Sequence, residues 1–112
     1  EDEMAVRKSA IQDGTIGAAM VPMETAKLAY DLLNILPDLA STGNGNAVTD
    51  VGVAGLLVSA ACKGALFNVE ININSLPDDR ATTLRKDMEE LRIRCRDKSR
   101  EIMHRVHDRL QS

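Results

Sequence analysis

The chain has 112 residues, with 14 Lys plus Arg against 17 Asp plus Glu and a net charge of −3, the size of one domain or part of one. Tyr30 and Phe67 are its only aromatic residues. A core must therefore come from Leu, Ile, Val, Ala and Met, which disfavours β-sandwiches and barrels and leaves no set of rings for base stacking.

The first segment, from about Asp2 to Met20, places Met4, Lys8, Ile11, Thr15 and Ala18 near one stripe. That spacing suits a helix with Asp2 as its N-cap, weakened by Gly14 and Gly17. Pro22 then interrupts, and Val21 before it is biased away from the α region. Met23, Ala26, Ala29, Leu32, Leu33 and Leu36 continue a broad apolar face, with Pro37 expected to kink it or to begin a short turn. Residues 1–40 thus read as one kinked helix or two.

Residues 41–48 (Ser-Thr-Gly-Asn-Gly-Asn-Ala-Val) form the clearest loop. Gly43 is expected to end the preceding helix and to let the chain turn, because Gly and Asn tolerate positive φ. Residues 49–74 read as a buried helix with Thr49 or Asn46 as N-cap, apolar all round in its first half and rich in Gly, Ala and Ser. Its end is ambiguous. Asn68-Val69-Glu70-Ile71-Asn72-Ile73-Asn74 alternates with period two, the pattern of a strand, but no second strand is available to pair with it. Helix is the better reading. Residues 75–78 make a break, and residues 79–110 form a long amphipathic helix with Leu84, Met88, Leu91, Cys95, Ile102 and Val106 on its stripe and Asp78 or Asp79 at its cap. The expected class is all-α, an up-and-down helical bundle.

Charge is uneven along the chain: residues 1–79 carry −7 and residues 80–112 carry +4. Acids are interleaved through the basic end, with Glu90 four before Arg94 and Glu101 four before Arg105, so salt-bridging on a solvated helix explains most of it and nucleic acid is not an expected partner. Arg92, Arg96 and Arg100 form a like-charge row that is unfavourable unless an anion lies nearby.

The opening residues are acidic with no apolar run behind them, and the nearly uncharged stretch 51–62 is too short to span a bilayer. A cytoplasmic setting with no membrane partner is expected. Cys62 and Cys95 fit no metal or redox spacing and read as two reduced thiols. Glu101-x-x-His104 and His104-x-x-His107 place ligand types on neighbouring turns, but a single copy on a charged helix end is expected to be a solvated face, and no metal is expected.

Asp50 stands where the loop meets the most apolar helix. An acid there favours the helix dipole, and it is equally suited to general acid or base work. Asn68, Glu70 and Asn72 interrupt an apolar segment, where they either hold helices together or meet a polar ligand.

Gly43-x-Gly-Asn46-Ala-Val-Thr-Asp50-Val-Gly-Val-Ala54, followed by Gly64-Ala-Leu-Phe-Asn68-Val-Glu-Ile-Asn72, resembles formiminotetrahydrofolate cyclodeaminases and the related methenyltetrahydrofolate cyclohydrolases. Arg7-x-x-Ala10-Ile-Gln12 and Val21-Pro22-Met23 resemble the same family's approach to that loop. The resemblance implies an all-α domain that acts on a tetrahydrofolate derivative as substrate and forms a homodimer or larger homo-oligomer. It implies Asp50 as the catalytic carboxylate and Asn46, Asn68 and Asn72 as substrate-binding residues, with basic residues meeting the folate glutamate tail. It also implies helix through 68–74. Family domains are about twice as long and carry a Pro-Gly-Gly-Gly-Ser motif upstream, so this chain corresponds to a C-terminal half, with a missing N-terminal half as a further partner. The alternative is a non-catalytic helical dimerisation module.

Overall fold

The computed structural model describes all of residues 1–112. It contains three long α-helices: α1 (Asp2–Thr42), α2 (Val48–Ile73) and α3 (Asp78–Gln111), with one 3-10 turn at Gly45–Ala47 between the first two. The expected all-α bundle is what the chain forms. Contacts between ends give the topology. Arg109 near the end of α3 reaches Ala40 and Gly43 at the end of α1, so α1 and α3 run parallel. Ser59 bonds Ser99 and Glu70 pairs with Arg92, so α2 runs antiparallel to α3. The bundle is up-down-up and elongated, 69 × 17 × 15 Å.

One periodicity organises all three helices. In α1 the seam runs Ala19, Met23, Ala26, Tyr30, Leu33, Pro37, Ala40; in α2 it runs Val48, Gly52, Gly55, Ser59, Cys62, Leu66, Val69, Ile73; in α3 it runs Ala81, Leu84, Met88, Leu91, Cys95, Lys98, Ile102. Spacings of three and four alternate throughout, the 3.5-residue repeat of a coiled coil. The core is therefore a narrow axial stack of Ala, Leu, Ile, Val and Met, with Met23, Leu33, Leu66, Ile73, Met88 and Ile102 fully enclosed. Glycine sets the spacing of α2 against α3. A Cβ at Gly55 would lie 2.9 Å from Ile102 Cγ2, and one at Gly52 would lie 3.2 Å from Val106 Cγ1, so these two positions let a branched side chain seat against bare backbone.

Of the alternatives open for residues 1–40, one helix or two, the chain takes the single helix: α1 passes through both Pro22 and Pro37. Pro37 is buried in the seam, and the packing on either side outweighs the hydrogen bond each proline removes. The side-chain caps expected at Asp2, Thr49 and Asp78 or Asp79 do not form: the N-cap positions are Glu1, Ala47 and Pro77, none with a side-chain bond to the helix. The acids instead lie in the first turns, where the dipole still favours them. Gly43 ends α1 at φ −69°, and no residue has positive φ. Glycine serves there because a Cβ would stand 2.5 Å from the Leu39 carbonyl oxygen.

Residues 68–73 are helical, with Val69 and Ile73 buried and Ile71 exposed. Burial at every fourth residue replaces the alternation that imitates a strand. Cys62 and Cys95 are joined as a disulfide between α2 and α3, not free thiols. Both occupy seam positions, in the layer next to the Ser59–Ser99 bond, a placement that cysteine spacing alone does not reveal.

α2 is less enclosed than expected. It has neighbours on one side only, and Val53, Leu56, Leu57, Phe67 and Ile71 are exposed. By length and composition alone α2 would suffice to cross a membrane. On α1, Val21, Leu28, Leu32, Ile35 and Leu39 are likewise exposed, and the first turns of α1 project past the other helices, tied back by Arg80 of α3 to Gln12 and Asp13.

Candidate functional site

The sequence-predicted residues fall in two places on α2. The first is its N-terminal end. Asn44 Oδ1 accepts a hydrogen bond of 3.0 Å from the Asn46 N–H, an Asx-type turn that opens the 3-10 segment. Asn46 and Asp50 are both exposed, and neither side chain makes a hydrogen bond or ion pair. Asp50 lies in the first turn of α2, where the backbone N–H groups and the dipole favour a negative charge. The loop is held from α3. Arg109 donates to the Ala40 carbonyl at 2.8 Å and to the Gly43 carbonyl at 2.9 Å. The C-terminal carbonyls of α1 lack intrahelical partners, and a guanidinium satisfies two at once. Arg109 therefore fixes the segment that leads to Asn46 and Asp50. The sequence reading missed it; the available signal was an arginine in the last turn of a helix predicted to end near a Gly/Asn loop.

The second place is an open cleft of about 570 Å³ between α1 and α2, within the range of small-molecule sites. Pro22, Thr25 and Ala18 form its α1 wall, and Gly64, Asn68 and Asn72 form its α2 wall. Pro22 has no N–H, so the Ala18 carbonyl at this wall has no i+4 donor. Thr25 Oγ donates to the Val21 carbonyl at 3.3 Å. Asn72 Nδ2 donates to the Asn68 carbonyl at 2.8 Å, while the Asn68 amide has no protein partner. The two amides are not the buried clamps between helices that the sequence allowed, since Asn68 is exposed and Asn72 half-buried. Glu70 has the interhelical role instead, pairing with Arg92 of α3 at 3.3 Å. The wall thus offers amide donors and acceptors and a hydroxyl oxygen beside Val21 and Ala61.

Within one chain these two places do not meet. Asp50 and Asn68 are five helical turns apart, so they share one face of α2 but are separated by about 27 Å of helix rise. Between them on that face lie Val53, Leu57, Ala61 and Gly64.

No three His, Cys, Asp or Glu side chains converge at the histidine motifs. Glu101 accepts from Lys98 at 3.0 Å and from Arg105 at 2.9 Å. The Lys98 hydrogen bond, and then the charges of Lys98 and Arg105, outweigh desolvation and lower the pKa of its carboxyl. His104 faces Asp108 at 3.5 Å.

Comparison with known proteins decides which family this arrangement serves. Residues 1–90 match the family model described as formiminotransferase-cyclodeaminase. The chain belongs to that family. It is similar to the methenyltetrahydrofolate cyclohydrolase of Methylorubrum extorquens, with 33% identity over 81 residues, covering 72% of this chain and 38% of that protein. It is also similar to the formimidoyltransferase-cyclodeaminase of Rattus norvegicus, with 35% identity over 78 residues, 70% of this chain and 14% of the relative. The counterpart in Sus scrofa is 36% identical over 73 residues, again 14% of its length and 65% of this chain. The chain therefore spans well under half of the curated relatives it matches. Both the Gly/Asn loop with Asp50 and the Asn68–Asn72 wall lie inside the segment matched by the family model.

Proposed function

We propose that this domain acts on a one-carbon group carried by tetrahydrofolate, either cyclising a 5-formimino group with release of ammonia or hydrolysing the methenyl form. Asp50 is the general acid and base, and Asn46, Asn68 and Asn72 bind the substrate. In the cyclisation N10 attacks the formimino carbon on N5, and Asp50 passes the proton that leaves with ammonia. In the hydrolysis water adds to the methenyl carbon and Asp50 takes one proton from it; the remaining hydroxyl proton then passes to N5 as the carbon–N5 bond breaks and the carbonyl of an N10-formyl group forms. The single observation that carries this reading is an exposed carboxylate and an unpartnered amide on the same face of one helix, inside the segment matched to a family whose members are named for these reactions.

The separation of Asp50 from Asn68 supports a site shared between two copies. If α2 packs on a second α2 about a two-fold axis that passes between Leu57 and Ala61, the helices run antiparallel. Asp50 then faces the partner's Asn68, and Leu57 faces the partner's Ala61. Large residues meet small ones along an apolar face that is otherwise exposed. A homodimer of this kind gives Asp50 and Asn68 one substrate to share.

Incubation with methenyl- and 5-formimino-tetrahydrofolate, followed by the methenyl absorbance, tests the reading. Turnover that falls at least a hundredfold in Asp50→Asn supports it. An active preparation indifferent to Asp50→Asn refutes the role of Asp50, and a folded dimer without turnover or folate affinity leaves a non-catalytic helical module as the function.

A further inference from the structure

A second cleft lies between α2 and α3, with a volume of about 270 Å³. It is on the opposite face of α2 from Asp50 and Asn68, because Ser59 and Lys63 point about half a turn away from them at 100° per residue. Its lining is strongly cationic: Lys63 comes from α2, and Arg92, Arg96 and Arg100 come from successive turns of α3. No carboxylate lines it. Arg92 is neutralised by Glu70 and Glu89, and Arg96 by Asp97. Lys63 and Arg100 have no ion pair and no side-chain hydrogen bond.

At the floor Ser59 and Ser99 share a hydrogen bond of 2.7 Å, with Ser59 only 8% exposed. Two hydroxyls joined by one bond retain one O–H that can still donate, and it faces no protein acceptor. Like charges four apart on a helix repel one another, and here a fourth cation from another helix is added to the row. In a chain of net charge −3, this concentration of cations around a hydroxyl donor is the arrangement that an anion would stabilise.

We propose that the α2–α3 cleft is a binding site for a small multivalent oxyanion. Lys63 and Arg100 are the principal charge partners, and the Ser59–Ser99 pair is the neutral donor at the floor. Two unpaired cations on different helices, Lys63 and Arg100, face this cleft, so the ligand carries more than one anionic group. Phosphates and carboxylates share this chemistry. The site does not rest on the folate reading, since it uses none of the same residues and occupies the other side of α2.

Titration calorimetry of the full chain with tripolyphosphate and, separately, with citrate tests the proposal at constant ionic strength. Saturable binding of tripolyphosphate alone assigns a phosphate-bearing ligand, and of citrate alone a carboxylate-bearing one. Either supports the site if Lys63→Gln/Arg100→Gln weakens binding at least tenfold while Arg7→Gln/Lys8→Gln, on the projecting start of α1, leaves it unchanged. All four positions are exposed, and circular dichroism of each variant checks that the fold is kept. Binding of neither probe overturns the proposal, as does equal weakening by both pairs of substitutions, which marks general charge attraction.

Discussion

Gly55 offers a quantitative test of the packing of α2 against α3. Replacing glycine by alanine inside a helix ordinarily gains about 1 kcal/mol. At Gly55 the new methyl would stand 2.9 Å from Ile102 Cγ2 and 3.2 Å from Met103 Cε. Met103 can bend away, but Ile102 is fully buried and β-branched, so its γ-methyl cannot swing aside within a helix. Overpacking of this kind costs about 1–3 kcal/mol, leaving Gly55→Ala neutral to about 2 kcal/mol less stable. Gly64 is the internal control, since a Cβ there meets nothing within 4 Å and Gly64→Ala keeps the gain of up to about 1 kcal/mol. The two variants are therefore expected to differ by about 1–3 kcal/mol, a gap of several degrees in Tm for a domain of this size. Urea unfolding followed by helical circular dichroism measures it. Equal stabilities, or Gly55→Ala the more stable of the two, would refute the close approach of α2 to Ile102.

Further outcomes follow from the loop and from α3. Arg109→Met removes both guanidinium bonds to the Ala40 and Gly43 carbonyls, and is expected to cost about 1–3 kcal/mol while speeding amide hydrogen exchange selectively in residues 43–48. Glu101 is bonded by Lys98 and Arg105, which lower its pKa; its stabilisation is present above the ordinary glutamate pKa of about 4.3 and is lost as the pH falls below that. The carboxylate is 38% exposed, so the effect after screening is below about 1 kcal/mol. Wild type and Glu101→Gln should differ slightly in Tm at pH 6 and converge as the pH falls through 4 and below; a difference that grows on acidification would contradict the assignment.

The legible parts of this fold were those with strong local signals. The stripe on α3, the Gly/Asn break and the apolar character of α2 each follow from residue order. The ambiguous points, and the misreading at the cysteines, have physical causes. Pro22 and Pro37 left one helix or two open because a proline removes one hydrogen bond, and the Ala19–Met23–Ala26 and Leu33–Pro37–Ala40 seams bury enough surface to carry a single helix through. Asn68 to Asn74 imitates a strand because its polar residues Asn68, Glu70, Asn72 and Asn74 fall on alternate positions, while burial follows Val69 and Ile73 as in a helix. The pairing of Cys62 with Cys95 depends on the register of two helices, which no local pattern contains. The candidate site was legible as residue types and motif; that Asp50 and Asn68 share a face yet lie five turns apart became visible only with α2 continuous from Val48 to Ile73. The Arg92–Arg100 row was visible in sequence, but the Lys63 and Ser59 side chains that close it into a cleft come from a different helix, and no local pattern brings Ser59 to Ser99.

The shared folate site can be tested most directly by complementation. Chains carrying Asp50→Asn and chains carrying Asn68→Ala, each impaired alone, are mixed in equal amounts under conditions that exchange subunits, and the methenyl absorbance is followed. With sites built from Asp50 of one copy and Asn68 of the other, each mixed dimer regains one intact site, and random two-fold association returns about a quarter of wild-type turnover. A mixture no more active than its parents, beside an active wild type, would contradict the shared site.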